Sequence, residues 1–426
     1  MTNIQSLYNI YLKHPKVSTD TRKIEKGDLY FALKGESFDG NKFAQQAIEK
    51  GASYAIIDDK SYASEKTILV DDVLTTLQNL ATYHRNQLKI PIIGITGSNG
   101  KTTTKELIKS VLSQQFHVFA THGNLNNHIG VPLSLLSITN EHEIAIIEMG
   151  ANHQKEIEFL SNIAQPDYGF ITNIGKAHLE GFGGEEGVLK GKTELYTYLR
   201  ENDKKAFINL TDKKLAPFAT TLNHIGFGGR NTNVYGKVLQ NNPTLSVEIT
   251  VGDKTQQVQT NLVGDYNLSN ILAATAMGNH FGLSLNQIHE GISSYEPTNN
   301  RSQLLTKGTN KIVMDAYNAN PTSMNHAIEN LIQSANENKV AIIGDMLELG
   351  EHTKQEHQKT VDILIQNNIT ALLVGPHFSK TKGHSFKTFV HVNDAKEHLK
   401  EHPLKDALIL IKGSRGIKLE EILDVL

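Results

Sequence analysis

The sequence contains no cysteine among its 426 residues. Without cysteine the protein has no disulfide framework and no thiolate chemistry, so cysteine-based nucleophilic catalysis is excluded. The absence fits a reducing compartment. The N-terminal segment MTNIQSLYNIYLKH also lacks a basic stretch followed by an apolar one, so it does not have the pattern of a secretory signal.

Long apolar runs and strongly basic runs are missing as well. No stretch approaches the roughly 18 apolar residues that a membrane span needs, so we expect no membrane insertion and a cytoplasmic location. The net charge is −3 and the isoelectric point is about 6.7. Such a balance provides no basic field for a nucleic acid, and we expect no nucleic-acid partner.

Short apolar runs alternate with helical patterns along the whole chain, which is typical of βαβ units and parallel sheets. The length predicts two to three domains. We divide the chain into blocks 1–88, 89–297 and 298–426. The predicted strands occupy residues 28–33, 53–58, 91–96, 143–150 and 168–175. The predicted helices occupy residues 41–50, 72–88, 267–281 and 284–294.

The alternation of apolar runs and helical patterns stops between about 222 and 263. Short β-rich runs with turn signals there predict an antiparallel annex to the central sheet. The third block has four apolar runs, KIVMDA, KVAIIGD, ALLVG and ALILIKG, which alternate with helical patterns. It is therefore predicted to be a second, smaller α/β domain.

A glycine-rich segment, Thr96-Gly97-Ser98-Asn99-Gly100-Lys101-Thr102-Thr103, lies between a predicted strand and a predicted helix. Glycines allow backbone N–H groups to approach phosphate oxygens, and the helix N-terminus adds a partial positive charge. Lys101 would reach the β and γ phosphates, and the Thr102 hydroxyl would hold Mg²⁺. The usual spacing requires glycine at position 95, which is Ile95, and Gly94 lies one residue too early.

The segment GITGSNGKTTTKE resembles the ATP loop of the Mur ligases, a family that includes the folylpolyglutamate synthetases. Four further segments, one or more in each block, resemble the members that add a dipeptide: TDTRKIEKGDLYFALKGESFDG, NLNNHIGVPLSLL, DAYNANPTSM and GDMLELGE. The Asp-Asn-Pro-Arg signature of the ligases that add the third amino acid is absent. The resemblance implies a three-domain architecture: a central P-loop parallel sheet with its annex, a precursor-binding domain and a C-terminal Rossmann-like domain.

The resemblance also implies an ATP-dependent, ADP-forming amide ligase of peptidoglycan precursor synthesis. Its substrates would be UDP-N-acetylmuramoyl-tripeptide and D-alanyl-D-alanine, and ATP would first convert the tripeptide carboxylate to an acyl phosphate. Metal ions and cations would hold the anionic groups together, and water must be excluded. The protein would use two Mg²⁺ ions and act as a monomer.

Three residues are proposed around the metal. Glu148 ends a predicted parallel strand beside the loop, where a carboxylate is well placed to bind Mg²⁺. The resemblance adds His178 as a metal ligand, although Mg²⁺ prefers oxygen and an isolated histidine is more often structural. It also implies that Lys192, or Lys190 if the register differs, carries a CO₂-derived carbamate that binds metal. Lys101, Lys192, His178 and Arg301 are the proposed catalytic residues.

Nucleotide contacts beyond the loop are implied for four residues. Asn267 and Asn270 would lie near the adenine, although Asn267 is also a good helix cap. Arg301 would clamp the γ-phosphate or the nucleotide, and Asp315, at a strand end, would bind the ribose. Tyr317 would meet the nucleotide or the dipeptide.

Substrate contacts are proposed for residues in all three blocks. The UDP end of the precursor would use cations and N–H donors of the first block, and the free carboxylate of the dipeptide would use the loop after the last strand. The proposed substrate residues are Thr21, Arg22, Lys34, Gly35, Asn126, Asn127, Asn318, Asn320, Lys412, Ser414 and Arg415.

Three alternatives were weighed. Another Mur ligase or a folylpolyglutamate-type ligase is the nearest, and the first block argues against a folate enzyme. A P-loop switch or motor would need switch loops in place of the annex and the third block. A regulatory module without catalysis is disfavoured by Lys101, Glu148 and Lys192. The segment 297–301 is predicted to be a hinge between open and closed forms. The sequence leaves open whether the tripeptide ends in lysine or diaminopimelate.

Overall fold

The computed structural model describes residues 3–298 and 300–426. Met1 and Thr2 of the N-terminal segment, and Asn299 of the predicted hinge, lie outside the described residues. Four of the described strands of the first block form a parallel sheet in the order β1-β2-β5-β6, and a small hairpin, β3–β4, stands beside it. The elements of this block are α1 (Ile4–Lys13), β1 (Val17–Ser18), β2 (Leu29–Phe31), β3 (Lys34–Gly35), β4 (Phe38–Asp39), α2 (Ala44–Glu49), β5 (Tyr54–Ile57), β6 (Thr67–Leu69) and α3 (Val73–Gln87).

The central sheet is wholly parallel, and six of the described strands form it in the order β12-β11-β10-β7-β9-β8. The inner strands of this sheet are buried, largely apolar runs because helices cover both faces. Its elements are β7 (Ile92–Thr96), α4 (Lys101–Leu112), β8 (Val118–Ala120), α5 (Gly130–Leu136), β9 (Ile144–Glu148), α6 (Glu156–Ala164), β10 (Tyr168–Ile171), α7 (Leu179–Phe182), α8 (Glu185–Glu201), β11 (Lys205–Asn209) and β12 (His224–Phe227).

The predicted antiparallel annex is present, but it begins later than expected. Strand β12 belongs to the parallel central sheet, where Ala206–Asn209 pairs with it in register. The antiparallel sheet starts at β13 and packs against the helices that follow it. Composition alone could not separate these strands, because a β-rich run does not reveal which neighbour it pairs with. The elements are β13 (Val234–Asn241), β14 (Leu245–Val251), β15 (Lys254–Gln259), α9 (Asn267–His280) and α10 (Leu285–Ser293).

The C-terminal part is a second α/β unit, in which six described strands form the order β16-β17-β21-β18-β19-β20. Only the β16–β17 pair is antiparallel among the pairs described. Strands β17 and β21 place Asp315 opposite Lys412 at their carboxyl ends. The elements are β16 (Gln303–Lys307), β17 (Asn310–Asp315), α11 (Pro321–Gln333), β18 (Lys339–Gly344), α12 (Thr353–Gln366), β19 (Thr370–Val374), β20 (Lys387–Phe389), α13 (Val392–Glu401) and β21 (Leu408–Lys412).

Helices α1 and α3 join the first sheet to the central one. One continuous apolar cluster contains residues of both helices and of α5, α6 and β9. Two polar contacts reinforce it. The Tyr11 hydroxyl donates to the carbonyl oxygen of Leu136 at 2.7 Å, and Arg85 forms a 2.7 Å ion pair with Asp167. A shared core of this kind resists relative motion of the first and central sheets.

Candidate active site

The phosphate loop has the backbone that its glycines predict. Gly97 has φ of 139° and Gly100 has φ of 76°, both in the region that favours glycine. A Cβ atom at Gly97 would lie 2.0 Å from the Thr172 hydroxyl, so no larger residue fits there. The Lys101 ammonium turns back on the loop and donates to the carbonyl oxygens of Gly97 at 2.7 Å and Ser98 at 3.4 Å. Helix α4 begins at Lys101, so its free N–H groups face the same space as the lysine.

Gly94 and Ile95, which depart from the usual glycine spacing of a phosphate loop, have a packing role. Gly94 lies inside β7, where a Cβ atom would be 2.8 Å from the Met149 Cε atom. Ile95 and Thr96 are fully buried in the same strand. Gly94 therefore serves the close packing of the sheet, and the phosphate loop proper starts at Gly97.

A cavity of about 1040 Å³ lies over the loop, between the central sheet and the C-terminal unit. It brings together most of the residues proposed from the sequence: Ser98, Asn99, Gly100, Lys101, Thr102, Thr103, Asn126, Asn127, Glu148, His178, Asn267, Asn270, Arg301, Asp315, Tyr317, Asn318, Asn320 and Lys412. The proposed residues outside its lining are Thr21, Arg22, Lys34, Gly35, Thr96, Gly97, Lys192, Ser414 and Arg415.

Glu148 lies at the centre of this cavity's inner wall and is 2% exposed. Its Oε2 accepts a hydrogen bond from the Thr102 hydroxyl at 2.8 Å, and its Oε1 accepts one from the Asn126 amide at 2.9 Å. The parallel strands β7 and β9 end side by side, which is why the carboxylate meets the first turn of α4. Asn127 lies next to Asn126, but its own Oδ1 accepts from the backbone N–H groups of Ile129 and Gly130.

The donor set around Glu148 fits a hard divalent cation. A carboxylate and a hydroxyl are ligands that Mg²⁺ prefers, and Mg²⁺ commonly takes its remaining ligands from phosphates and water. Within residues 3–298 and 300–426, no group of three or more His, Asp or Glu side chains is arranged to hold a metal ion. The cation would therefore depend on the nucleotide for part of its coordination.

Lys192 on α8 is buried immediately behind the cavity wall and is 1% exposed. Its Nζ donates to the carbonyl oxygen of Ala151 at 3.0 Å and lies 4.9 Å from the centre of the Phe182 ring. Burial, with a smaller contribution from the charge of Lys101, holds the pKa of Lys192 well below its ordinary value. The neighbouring Lys190 is exposed to solvent.

His178 connects the central sheet with the C-terminal unit. Its Nδ1 lies 2.5 Å from the Oε2 of Glu348, a short contact that is an ion pair when the imidazole is protonated. The contact lacks hydrogen-bond angles, so Nδ1 has no directed partner within the described part of the chain. The proximity of His178 lowers the pKa of Glu348. Both residues have positive φ, 52° and 63°, which is uncommon for side chains of this size and often marks functional positions.

Helix α9 supports the loop from the adjacent side. The Thr104 hydroxyl donates to the Asn270 Oδ1 at 3.0 Å, and a Cβ atom at Gly100 would make a tight contact of 3.2 Å with the Asn270 amide. Asn267 was expected to be a possible helix cap, but its side chain does not cap α9. Its amide donates instead to the carbonyl oxygen of Val263 at 2.9 Å, and its Oδ1 accepts from Asn270 at 2.8 Å. The asparagine pair is thus an internal support for the loop.

Two positive charges of the C-terminal unit flank one aromatic ring. The Arg301 guanidinium stacks 3.6 Å from the centre of the Tyr317 ring, and the Arg415 guanidinium lies 5.5 Å from it. Stacking of this kind fixes the orientation of a guanidinium without consuming its hydrogen-bond donors. Arg301 lines the cavity and Arg415 does not.

Lys412 and Ser414, proposed for the dipeptide carboxylate, are both buried and have partners inside the protein. The Lys412 ammonium lies 2.5 Å from the Asp315 carboxylate and 3.4 Å from the carbonyl oxygen of Asn318. The Ser414 hydroxyl accepts from the N–H of Leu347 at 3.0 Å. In this arrangement Lys412 balances the charge of Asp315, so Arg415 is the more accessible cation of the proposed set.

The C-terminal unit contacts the phosphate loop directly. The Asn320 amide donates to the Asn99 Oδ1 at 2.7 Å, while its own Oδ1 caps helix α11. Two residues further, the Thr322 hydroxyl accepts from the backbone N–H of Lys176 at 2.9 Å. The loop and the first turn of α11 therefore line the same cavity and contact each other at its edge.

The residues proposed for the UDP end lie on the first sheet, apart from this cavity. Thr21 and Arg22 form part of a short 3₁₀ turn, and Arg22 is paired with Asp20 at 2.8 Å. Lys34, at the start of the β3–β4 hairpin with Gly35, forms a 2.8 Å ion pair with Asp58. A long substrate would be needed to bridge these residues and the phosphate loop.

Several cavity residues were not singled out from the sequence. The rings of Tyr266 and His326 stack with their centres 5.5 Å apart. Tyr266 immediately precedes helix α9, and His326 lies in helix α11. Asn173 holds the loop, since its Oδ1 accepts from the Asn99 N–H at 3.1 Å. Glu348 lies in the quoted segment GDMLELGE, which was the one available signal. The stacked pair is formed by residues that are distant in the chain, so no local pattern could reveal it.

Comparisons with known proteins were made at the level of family, sequence and structure. Three family models match consecutive parts of the chain: "Mur ligase family, catalytic domain" over residues 15–85, "Mur ligase middle domain" over 95–278, and "Mur ligase, glutamate ligase domain" over 300–415. The sequence is 36% identical over 425 residues to the UDP-N-acetylmuramoyl-tripeptide–D-alanyl-D-alanine ligase of Bacillus subtilis strain 168, with 95% of this chain and 92% of that protein covered.

Solved structures give the same neighbours. A crystal structure of MurF from Acinetobacter baumannii superposes with a TM-score of 0.88 at 32% identity and covers 96% of this chain and 92% of that one. The MurF ligase of Thermotoga maritima in complex with ADP superposes with a TM-score of 0.87 at 28% identity and covers 100% of this chain and 98% of that one. The similarity therefore extends through all three sheet units and not only through the phosphate loop.

Proposed function

The chain belongs to the Mur ligase family, and we propose that it joins D-alanyl-D-alanine to UDP-N-acetylmuramoyl-tripeptide in an ATP-dependent, ADP-forming reaction of peptidoglycan precursor synthesis. The observation that carries this proposal is the 36% identity, over 95% of the chain, to a ligase of that name. A folylpolyglutamate-type ligase or another Mur ligase is not favoured by any specific feature of the site. The three functional domains would be 1–88, 89–297 and 298–426.

The proposed reaction starts at the phosphate loop. Loop N–H groups and Lys101 would hold the β and γ phosphates of ATP, and Arg301 would approach them from the C-terminal unit. The tripeptide carboxylate would take the γ-phosphoryl group and become an acyl phosphate, with ADP as the leaving group. The amine of D-alanyl-D-alanine would then attack the acyl carbon, and phosphate would leave as the amide forms.

Mg²⁺ bound at Glu148 and Thr102 would neutralise the phosphate charges during transfer. His178 is the further candidate ligand, and its contact with Glu348 would orient it. A second Mg²⁺ and the lysine carbamate belong to the same proposal. The ADP bound to the Thermotoga maritima relative supports the use of ATP by this chain, and the cavity of about 1040 Å³ over the loop is where we propose that the nucleotide binds.

Carbamylation of Lys192 is supported by its environment. A carbamate forms when an unprotonated amine attacks CO₂, the new N–C bond replacing one C–O π bond and the nitrogen losing a proton to solvent. The lowered pKa of Lys192 favours the unprotonated amine, and burial protects the product. Lys190 is exposed and lacks both features. Lys192 is therefore the residue that we propose is modified.

The acceptor side is assigned in the same way. Asn318 and Asn320 line the cavity, and Arg415 lies outside its lining beside the Tyr317 ring. These three residues would receive D-alanyl-D-alanine. Residues of the first sheet, above all Arg22 and Lys34, would bind the UDP end. No helix within the described residues is long and apolar enough to cross a membrane. We propose a monomer that works in the cytoplasm, where ATP and the UDP-linked precursor are available.

The deciding experiment is an ADP-release assay with UDP-N-acetylmuramoyl-tripeptide, in the presence and absence of D-alanyl-D-alanine. The proposal predicts sustained ADP release only when both are present, with one amide formed per ADP. The lysine and diaminopimelate forms of the tripeptide should be compared in parallel. Release that does not depend on the dipeptide would overturn the substrate assignment, although the family would stand.

A further inference from the structure

Lys105 is a fully buried lysine one turn beyond the catalytic Lys101 on helix α4. None of its side chain is exposed to solvent. Burying a lysine charge is costly unless carboxylates and hydrogen-bond acceptors surround it. The neighbouring helix positions that point inward, Leu107 and Ile108, are apolar and fill the core without such a cost. A charge at position 105 is therefore not explained by packing.

Lys105 contacts Glu106 on its own helix, and its other contacts connect it with the buried Glu148. Its Nζ donates to the carbonyl oxygen of Thr121, and it lies 3.0 Å from the Glu106 Oε1 and 3.9 Å from the Glu148 Oε2. The Thr121 hydroxyl in turn accepts from the backbone N–H of Glu148 at 3.0 Å. Lys105 and Thr121 thus hold Glu148 from the side away from the cavity, while Thr102 and the Asn126 amide contact it from the cavity side.

Glu148 needs a positive partner when the cavity contains no cation. Its carboxylate is almost completely buried, and a buried anion without compensation is unfavourable. Lys105 supplies a positive charge at that place from within the protein itself. The charge of Lys105 also acts on any cation that approaches Glu148.

We infer that Lys105 is a positioning residue that serves as an internal counter-ion for Glu148 and keeps the nucleotide-free site from retaining a divalent cation. The inference rests on the proposed metal role of Glu148. In the presence of ATP, the negative phosphates outweigh the repulsion from Lys105, so the cation binds together with the nucleotide. Lys105 acts through Glu148 and does not contact substrate.

The size of the effect follows from distance. Because Nζ is 3.9 Å from Oε2, a cation bound to that oxygen at the usual Mg²⁺–oxygen distance of about 2 Å would lie no further than about 6 Å from Nζ. Charges of +1 and +2 about 6 Å apart repel, even at the dielectric constant of water, by roughly the free energy of a tenfold change in a dissociation constant. Inside a protein the repulsion is larger.

The experiment measures binding of Mn²⁺, a spectroscopic substitute for Mg²⁺, to the nucleotide-free full chain. Two neutral variants are used, Lys105→Met, which keeps the length of the side chain, and Lys105→Gln, which keeps a donor for the Thr121 carbonyl. Lys109→Met is the matched control, because it removes the same charge one turn further along the same helix. ADP binding in EDTA reports whether each variant is correctly folded.

The expected result is at least about tenfold tighter Mn²⁺ binding in either neutral variant and no comparable change in Lys109→Met. A lysine with a purely structural role would give unchanged or weaker binding, and that outcome in the variant that retains ADP binding would overturn the inference. If neither variant binds ADP, a role of Lys105 in folding would be enough to explain why a lysine is buried there, and the inference would also be rejected.

A Glu148→Gln variant separates this inference from the proposed function. If Glu148→Gln abolishes the Mn²⁺ site that the wild-type protein forms with ADP, the proposed metal position at Glu148 is supported. The inference about Lys105 is then accepted or rejected on the Lys105 variants alone. If Mn²⁺ and ADP bind together to Glu148→Gln as they do to wild type, the metal position itself is wrong.

Discussion

Replacing Lys192 by methionine should make the protein more stable and inactive at the same time. Lys192 is 1% exposed, and among the described residues its unmodified amine donates one hydrogen bond, to the carbonyl oxygen of Ala151. Replacing buried ionic groups by apolar side chains of similar volume often stabilises a protein by about 1–4 kcal/mol. The unpaired carbonyl costs about 1 kcal/mol in return.

We therefore expect the Lys192→Met variant to gain up to about 3 kcal/mol in the free energy of unfolding, or up to roughly 3 °C in Tm for a chain of this size. The gain should depend on pH. The folded-state pKa of Lys192 lies well below the ordinary value of 10.5, so between the two values the folded protein binds fewer protons than the unfolded chain. Wild-type stability therefore rises with pH relative to the variant, and the difference should shrink as pH increases from 7 toward 10.

The assay is urea unfolding in CO₂-depleted buffer with EDTA, followed by ADP release in bicarbonate buffer with both substrates. Lys190→Met is the matched control, since Lys190 is exposed on the same helix, and it should change stability by less than about 0.5 kcal/mol and leave turnover intact. Short-chain carboxylates should partly restore turnover to a Lys192→Ala variant, in which the cavity has room for them. Full turnover by Lys192→Met, or loss of turnover in Lys190→Met alone, would refute the assignment of the carbamate to Lys192.

Further predictions concern the loop, the clamp, the C-terminal unit and domain closure. Gly97→Ala places a methyl group 2.0 Å from the Thr172 hydroxyl at a φ of 139°; it should lower kcat/KM by about 100-fold or more, measured by ADP release, because the strain falls on the loop itself. Arg301→Ala removes the guanidinium stacked on Tyr317 and should lower kcat/KM by about 100-fold, with Arg301→Lys intermediate; equal activity of Lys and Arg would show that stacking is unimportant. Asp345 is fully buried and its carboxylate accepts two backbone N–H bonds at 2.8 and 2.9 Å; Asp345→Ala should cost about 2–4 kcal/mol in urea unfolding and Asp345→Asn less, whereas equal losses would argue against an acceptor role. Small-angle scattering should show compaction when ATP analogue and UDP-linked tripeptide are both bound, and an unchanged radius of gyration would contradict closure of the C-terminal unit.

Contiguity along the chain explains why the positions of some site residues could be predicted from the sequence. The strand, the two glycines and the Lys-Thr pair of the phosphate loop are contiguous, so local backbone requirements specify them. Glu148 was predictable because an acid that ends an apolar strand has few structural reasons to be there, and parallel strands end at the same edge of a sheet. Resemblance supplied His178 and Lys192, which no local pattern distinguishes from ordinary polar residues.

The sequence by itself thus determined the order of the units, the phosphate loop and the strand-end acid, since each depends on neighbours within a few residues. Only the tertiary structure decided that Lys192 rather than Lys190 is buried and that Lys412 forms an ion pair with Asp315. It also placed Lys105 next to Glu148, on the side away from the cavity. It also decided that the β-rich run splits between two sheets. These properties depend on which surfaces meet after folding, and residues far apart in the chain come into contact through packing that no local pattern encodes.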